Sequence, residues 1–163
     1  MTELLTPSRS AKQSNGWSAT CTRRVLIVVD EPCTSPELCA SVRAYADNRP
    51  LEAVVVAPAH DSATTQWYVD EEAARADATH RLRGCIACLE RDGIRVEGQL
   101  GDHDPVQAIG DALHEFAADE ILLITSRQRP SRWLRPNVTD RARQTFPQPI
   151  KHIVMPPPTP ERR

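Results

Sequence analysis

The sequence predicts a single doubly wound α/β domain in which five parallel strands alternate with four helices. Three observations predict it. Short β-branched runs such as Val25 to Val29 are apolar without a break, the pattern of strands buried on both faces. The stretches between them repeat apolar residues at intervals of three and four, the period of an amphipathic helix. The segment from Gly101 to Ser126 holds one complete helix-then-strand unit: Gly-Asp-His-Asp-Pro, an apolar helix, the pair Asp119-Glu120, and a short apolar strand ending Thr125-Ser126. Such alternation favours a parallel sheet with right-handed crossovers.

The first strand is read from Arg24 to Asp30, with an acid at its carboxyl end, where parallel sheets place ligands. Ser35-Pro36 supplies an N-cap and a first helical residue, and Leu38, Cys39, Val42, Tyr45 and Ala46 then share one face. That helix is expected to stop near Asn48 to Pro50. Ala53 to Ala57 is a second buried strand, and Pro58 to Thr65, carrying His60 and Asp61, is a loop. A long helix from Asp70 to Asp92 follows, with Leu82, Cys85, Ile86 and Leu89 on its apolar stripe and Gly93 as a terminator.

Ile94, Val96, Gly98 and Leu100 alternate with Arg95, Glu97 and Gln99, which suits an edge strand with one wet face. Asp104 is expected to cap a helix opened by Pro105, with Gln107 at the reciprocal capping position and Val106, Ile109, Leu113 and Phe116 as its stripe. Ile121 to Thr125 is the fourth strand, and Ser126 to Pro136 a loop. A short helix begins at Asn137, with Val138, Ala142 and Phe146 along one side. Ile150 to Met155 is the last strand.

Residues 1–22 read as a flexible arm, 23–155 as the domain and 156–163 as a Pro-rich tail. With 163 residues, 40% of them hydrophobic, the chain can build one core but is short for two. A net charge of -2 and a pI near 6.2 argue against a general nucleic-acid binder, which needs a broad basic field. No apolar run approaches the ~20 residues of a membrane span, and the arm lacks the apolar centre of a signal peptide. No membrane contact is expected, and the expected compartment is the cytoplasm. Five scattered cysteines then read as reduced thiols rather than a disulfide framework.

From Arg24 to Met155 the chain resembles the universal stress protein family, on the strength of Asp30, Gly101 to Pro105 and the helix-strand unit that follows. It is most similar to a divergent bacterial subgroup with Trp67 before Asp70-Glu71-Glu72, Gly101-Asp-x-Asp-Pro105 and Arg132-Trp133-Leu134. The resemblance implies a sheet of order 3-2-1-4-5 and a homodimer that pairs the last strands, Ile150 to Met155. It also implies an adenine-nucleotide site, for ATP or AMP, at the carboxyl ends of strands one, two and four. Carried over by position, that site comprises Asp30, Val56, Ala57, Gly101, Thr125, Ser126, Arg127, Arg129, Asn137 and Val138. The chain departs from the family in the loop after strand four. Thr125 and Gln128 stand where glycines would let backbone N–H groups close on phosphate, and Pro136-Asn137 stands where Gly-Ser would be.

In place of the glycines stand Arg127, Arg129, Arg132 and Arg135, which can grip phosphate through their guanidinium forks, helped by the N-terminus of the helix that Asn137 is expected to cap. The plainer reading is a solvated basic loop. Asp30 can bond a base or a ribose, or cap a nearby loop. Trp67 and Trp133 can stack on a base, or close the core or an interface. Cys85-x-x-Cys88 falls inside a helix without a second ligand pair, so no metal is assigned, and Cys85, Cys88, Cys33 and Cys39 are read as structural. His103 between Asp102 and Asp104 is explained by capping.

No nucleophile with its base is visible, so no catalytic residue and no reaction are assigned. The expected function is that of a non-enzymatic stress or regulatory protein that binds an adenine nucleotide. The alternative is a dimeric interaction module, independent of nucleotide, with the Arg127 to Arg135 loop as a protein-partner site. A receiver domain does not fit, because no Asp ends the second β/α unit at the needed place and no Lys directly follows the fourth strand.

Overall fold

The computed structural model describes residues 22–29, 36–47, 49–59, 71–126 and 136–155. Among the described residues nine elements alternate: β1 (Arg23–Val29), α1 (Pro36–Ala46), β2 (Leu51–Pro58), α2 (Glu71–Arg91), β3 (Arg95–Gly101), α3 (Pro105–Glu115), β4 (Glu120–Ser126), α4 (Pro136–Thr145) and β5 (Ile150–Met155). The five strands form one parallel sheet of order β3-β2-β1-β4-β5, as the family resemblance implies. β3 is an edge, as its alternation requires.

The unbroken apolar runs have the consequence expected of them. Val25, Ile27 and Val29 join the core under α1 and α2, while Leu26 and Val28 join the core under α3 and α4. All five are fully buried. Both faces of the central strand are therefore dry, and the domain has two apolar layers separated by the sheet.

Helix ends follow local chemistry. Asp47 closes α1 in the left-handed region, at φ 50°, and its N–H donates to the Arg43 carbonyl at 3.1 Å. Gly93, at φ 77°, closes α2, with its own N–H on Glu90 at 2.9 Å and that of Ile94 on Leu89 at 3.1 Å. This paired pattern satisfies carbonyls that the last turn leaves open. Asp104 caps α3, its carboxylate accepting from the Val106 N–H at 3.0 Å. Gln107 does not close a capping box; its amide reaches forward to Asp111 at 2.7 Å.

The buried stripe of α3 also differs from expectation. Ala108, Ile109 and Ala112 are fully buried, whereas Val106 and Leu113 are half-exposed. The cause is a close approach at the end of β3. A Cβ on Gly101 would lie 2.6 Å from the Cβ of Ala108 and 2.8 Å from Cγ1 of Val56, so a helix seated this close turns its small residues inward. Gly101→Ala is expected to lower stability by about 1–3 kcal/mol through overpacking, read from the denaturation midpoint.

At the amino end of the sheet, Asp119 and Glu120 are spent on structure. The Arg24 N–H donates to Asp119 at 3.0 Å, and Arg23 pairs with Glu120 at 3.0 Å. Arg24 also lies 4.3 Å over the Phe116 ring, and Arg23 4.8 Å over Tyr45.

The expectation of reduced thiols is corrected for one pair. Cys39 of α1 and Cys88 of α2 are joined as a disulfide, their Cα atoms 6.5 Å apart. The long crossover of α2 brings its last turns beside the start of α1, a proximity that linear spacing does not reveal. Cys85 stays outside the bond and is buried.

Candidate functional site

In an open parallel sheet, ligands settle outside the carboxyl ends of the strands where the strand order reverses. Here the chain runs outward from β1 to β2 and β3, then returns to the other side of β1 for β4 and β5. The reversal lies between β1 and β4, where Val29 registers with Ile124. Thr125 is the next residue on β4.

Thr125 is buried, 6% exposed, and among the described residues only Arg81 joins it as a buried polar side chain. Strand alternation continues from Leu123 and places its hydroxyl on the α3/α4 side of the sheet. Oγ1 of Thr125 sits 2.8 Å from Nε2 of His152. His152 registers with Leu123 on β5, so its ring reaches diagonally along the sheet. An imidazole beside a hydroxyl is the pairing the sequence reading did not find, because 27 residues and a whole helix separate the two.

Val56 and Ala57 are both fully buried, but alternation sends them to opposite faces, Val56 against α3 and Ala57 toward α1 and α2. Only through their backbones can the two meet a single ligand. Gly101 registers with Pro58, and its missing side chain is accounted for by α3 packing. Asn137 lies exposed within the first turn of α4, which starts one residue earlier, at Pro136, so it does not cap that helix. Val138 is buried, 7% exposed. The backbone of Ser126 ends β4. Asp30, Arg127, Arg129, Arg132, Arg135, Trp67, Trp133, His60 and Asp61 lie outside the described residues, as do residues 1–21 of the arm and the tail.

Arg81 is the other residue that the sequence reading passed over. It is 3% exposed on α2, and its guanidinium donates to the carbonyl of Pro58 at the carboxyl end of β2 at 2.8 Å. A signal was present: Arg81 falls three residues after Ala78 and four before Cys85, within the buried stripe of α2. His103 is solvated, its Nδ1 2.9 Å from Asp102, and no group of metal-holding side chains occurs among the described residues. No described helix is long and apolar enough to cross a membrane.

Comparison with solved structures places this architecture. A universal stress protein from Archaeoglobus fulgidus, solved with dAMP, superposes with a TM-score of 0.55 at 18% identity, covering 80% of this chain and 97% of that one. The chain has the universal stress protein fold. A Burkholderia pseudomallei member of that family superposes with a TM-score of 0.54 at 18% identity, covering 80% and 94%. A second Archaeoglobus fulgidus universal stress protein gives 0.53 at 15% identity, covering 80% and 93%. Nearly the whole of each stress protein is thus matched by about four fifths of this chain. No family model matches the sequence, and no curated protein does either. At these identities the likeness to universal stress proteins is one of backbone path, and side-chain roles have to be argued from this chain's own residues.

Proposed function

We propose that this protein binds an adenine nucleotide, ATP or AMP, in the crevice between the carboxyl ends of β1 and β4, and acts as a regulatory protein of the universal stress type. The observation that carries the proposal is the hydroxyl of Thr125, buried at the strand-order reversal and hydrogen-bonded to His152. The dAMP complex of a protein sharing this fold supports the choice of ligand. Asp30 receives the base or ribose, and the backbone of Val56 and Ala57 lines the adenine edge. Thr125, Ser126 and the first turn of α4 at Asn137 and Val138 approach the phosphates, with Arg127 and Arg129 supplying the charge that glycine loops lack. Gly101 contributes by letting α3 come close.

Self-association belongs to the same reading. β5 is a sheet edge, and Val154 on it is 48% exposed. An open sheet edge is a template for strand pairing with a second copy.

Native mass spectrometry with ATP, AMP and a cyclic nucleotide as titrants tests both parts. A dimer with one adenine nucleotide per chain is expected. Asp30→Ala should weaken binding about 10-fold or more, and Thr125→Val by about 2- to 10-fold, the range for one charged and one neutral hydrogen bond. A monomer that takes up none of the three nucleotides would sink the proposal.

A further inference from the structure

Cys39 and Cys88 sit in one seam. Cys39 is 5% and Cys88 8% exposed, and both belong to the core layer shared by α1 and α2. Four residues further along the chain from each, Arg43 on α1 and Asp92, just past the end of α2, form an ion pair. The seam therefore carries a sulfur pair and a charge pair in the same column, as two helices running side by side in one direction require. The Cα separation of 6.5 Å lies inside the range a disulfide can bridge. Cys85, buried one turn before Cys88, offers a third sulfur on the same helix.

We propose that Cys39 and Cys88 are a redox modification site, a dithiol that low-molecular-weight disulfides oxidise and dithiol reductants reopen, clasping α1 to α2 when closed. In a reducing compartment, as the sequence leads one to expect, a disulfide is a transient sensor rather than a permanent brace. The chemistry balances with a glutathione-type disulfide as oxidant. One cysteine thiolate attacks a sulfur of the small disulfide, forming a mixed disulfide and releasing one small thiolate. The second cysteine, deprotonated, attacks the protein sulfur of the mixed disulfide and releases the other small thiolate. Two protein thiols lose two electrons and two protons, and one small disulfide becomes two small thiols.

The closed clasp links residues 49 apart in sequence, a long loop whose closure constrains the unfolded chain. It also holds the first half of α1, which follows the carboxyl end of β1, against the last turns of α2. Because both sulfurs are buried, exchange proceeds through local opening of the seam and is slow.

The test is differential alkylation of the full chain after equilibration across a series of reduced-to-oxidised glutathione ratios. Open thiols are capped with one maleimide in denaturant. Closed ones are reduced and capped with its heavy isotope, and peptides are read by mass spectrometry. Cys39 and Cys88 should acquire the heavy label together, in a single two-electron transition, while Cys85 stays light. The oxidised protein should melt about 5–15 °C above the reduced protein. That difference should vanish in Cys39→Ser and in Cys88→Ser and survive in Cys85→Ser. Light label on Cys39 and Cys88 at the most oxidising ratio would overturn the proposal, as would a bond joining either of them to another cysteine. The labelling is read on the unaltered chain, so a serine variant that fails to fold leaves the decision intact.

Discussion

Replacing Leu122 with Ala is expected to lower stability by about 2–5 kcal/mol, the largest effect of any single truncation considered for this chain. Leu122 is fully buried in the middle of β4, with Ile27 in register on one side and Lys151 on the other. Its side chain lies in the layer beneath α1, among Val25, Ile27 and Ile124. Truncation forfeits the transfer free energy of the missing atoms and leaves a void that parallel strands, held by backbone bonds on both sides, cannot close. Urea denaturation should show a lower midpoint with an unchanged slope. The same truncation at Leu113, which is half-exposed on α3, should cost only about 1 kcal/mol. Equal losses at the two sites would contradict the burial described for β4.

Arg81→Ala is expected to cost about 1.5–3 kcal/mol, the value of a hydrogen bond made by a charged donor in a buried setting. The guanidinium is 3% exposed and donates to the Pro58 carbonyl at 2.8 Å, tying the middle of α2 to the carboxyl end of β2. Without it that carbonyl loses its donor, and the layer under α2 loses the volume of a long side chain. Arg81→Met restores most of the volume but none of the donors, so it should recover only the packing share of the loss. A Met variant as stable as the wild type would show that the residue acts by filling space alone. Chemical denaturation of the three proteins side by side separates these outcomes.

Much of the fold is legible in linear order. The runs Val25 to Val29 and Ile121 to Ile124 announce strands covered on both faces because no polar residue interrupts them. The alternation from Ile94 to Leu100 announces an edge, and β5 is observed over the residues expected for it, Ile150–Met155. Asp104-Pro105 and Gly93 mark helix ends through chemistry that acts within one turn. Boundaries shift by a residue or two, as at the end of α1, which Asp47 closes with a positive φ, and at the start of α4, which is Pro136.

The candidate site was legible only in part. Thr125 was singled out for its place at the end of β4, and the strand order puts it where the sheet reverses. Its partner was not, because His152 belongs to a different strand and looks, in sequence, like one more residue of an edge. Val56 and Ala57, adjacent in sequence and read as one end of a strand, face opposite layers. Gly101, read as a ligand glycine, is required by the approach of Ala108 whether or not a ligand is present.

The sequence by itself determined the kinds and order of the elements, the buried faces of the central strands and most of the element ends, since these depend on periods of two and 3.6 residues and on caps that reach a few residues along the chain. Only the tertiary structure decided which distant groups meet: Thr125 with His152, Arg81 with Pro58, Cys39 with Cys88. The reason is physical. Periodicity tells which way a side chain points within its own element, but its partner is chosen by strand order, register and the path of the crossovers, and these emerge only when the whole sheet assembles.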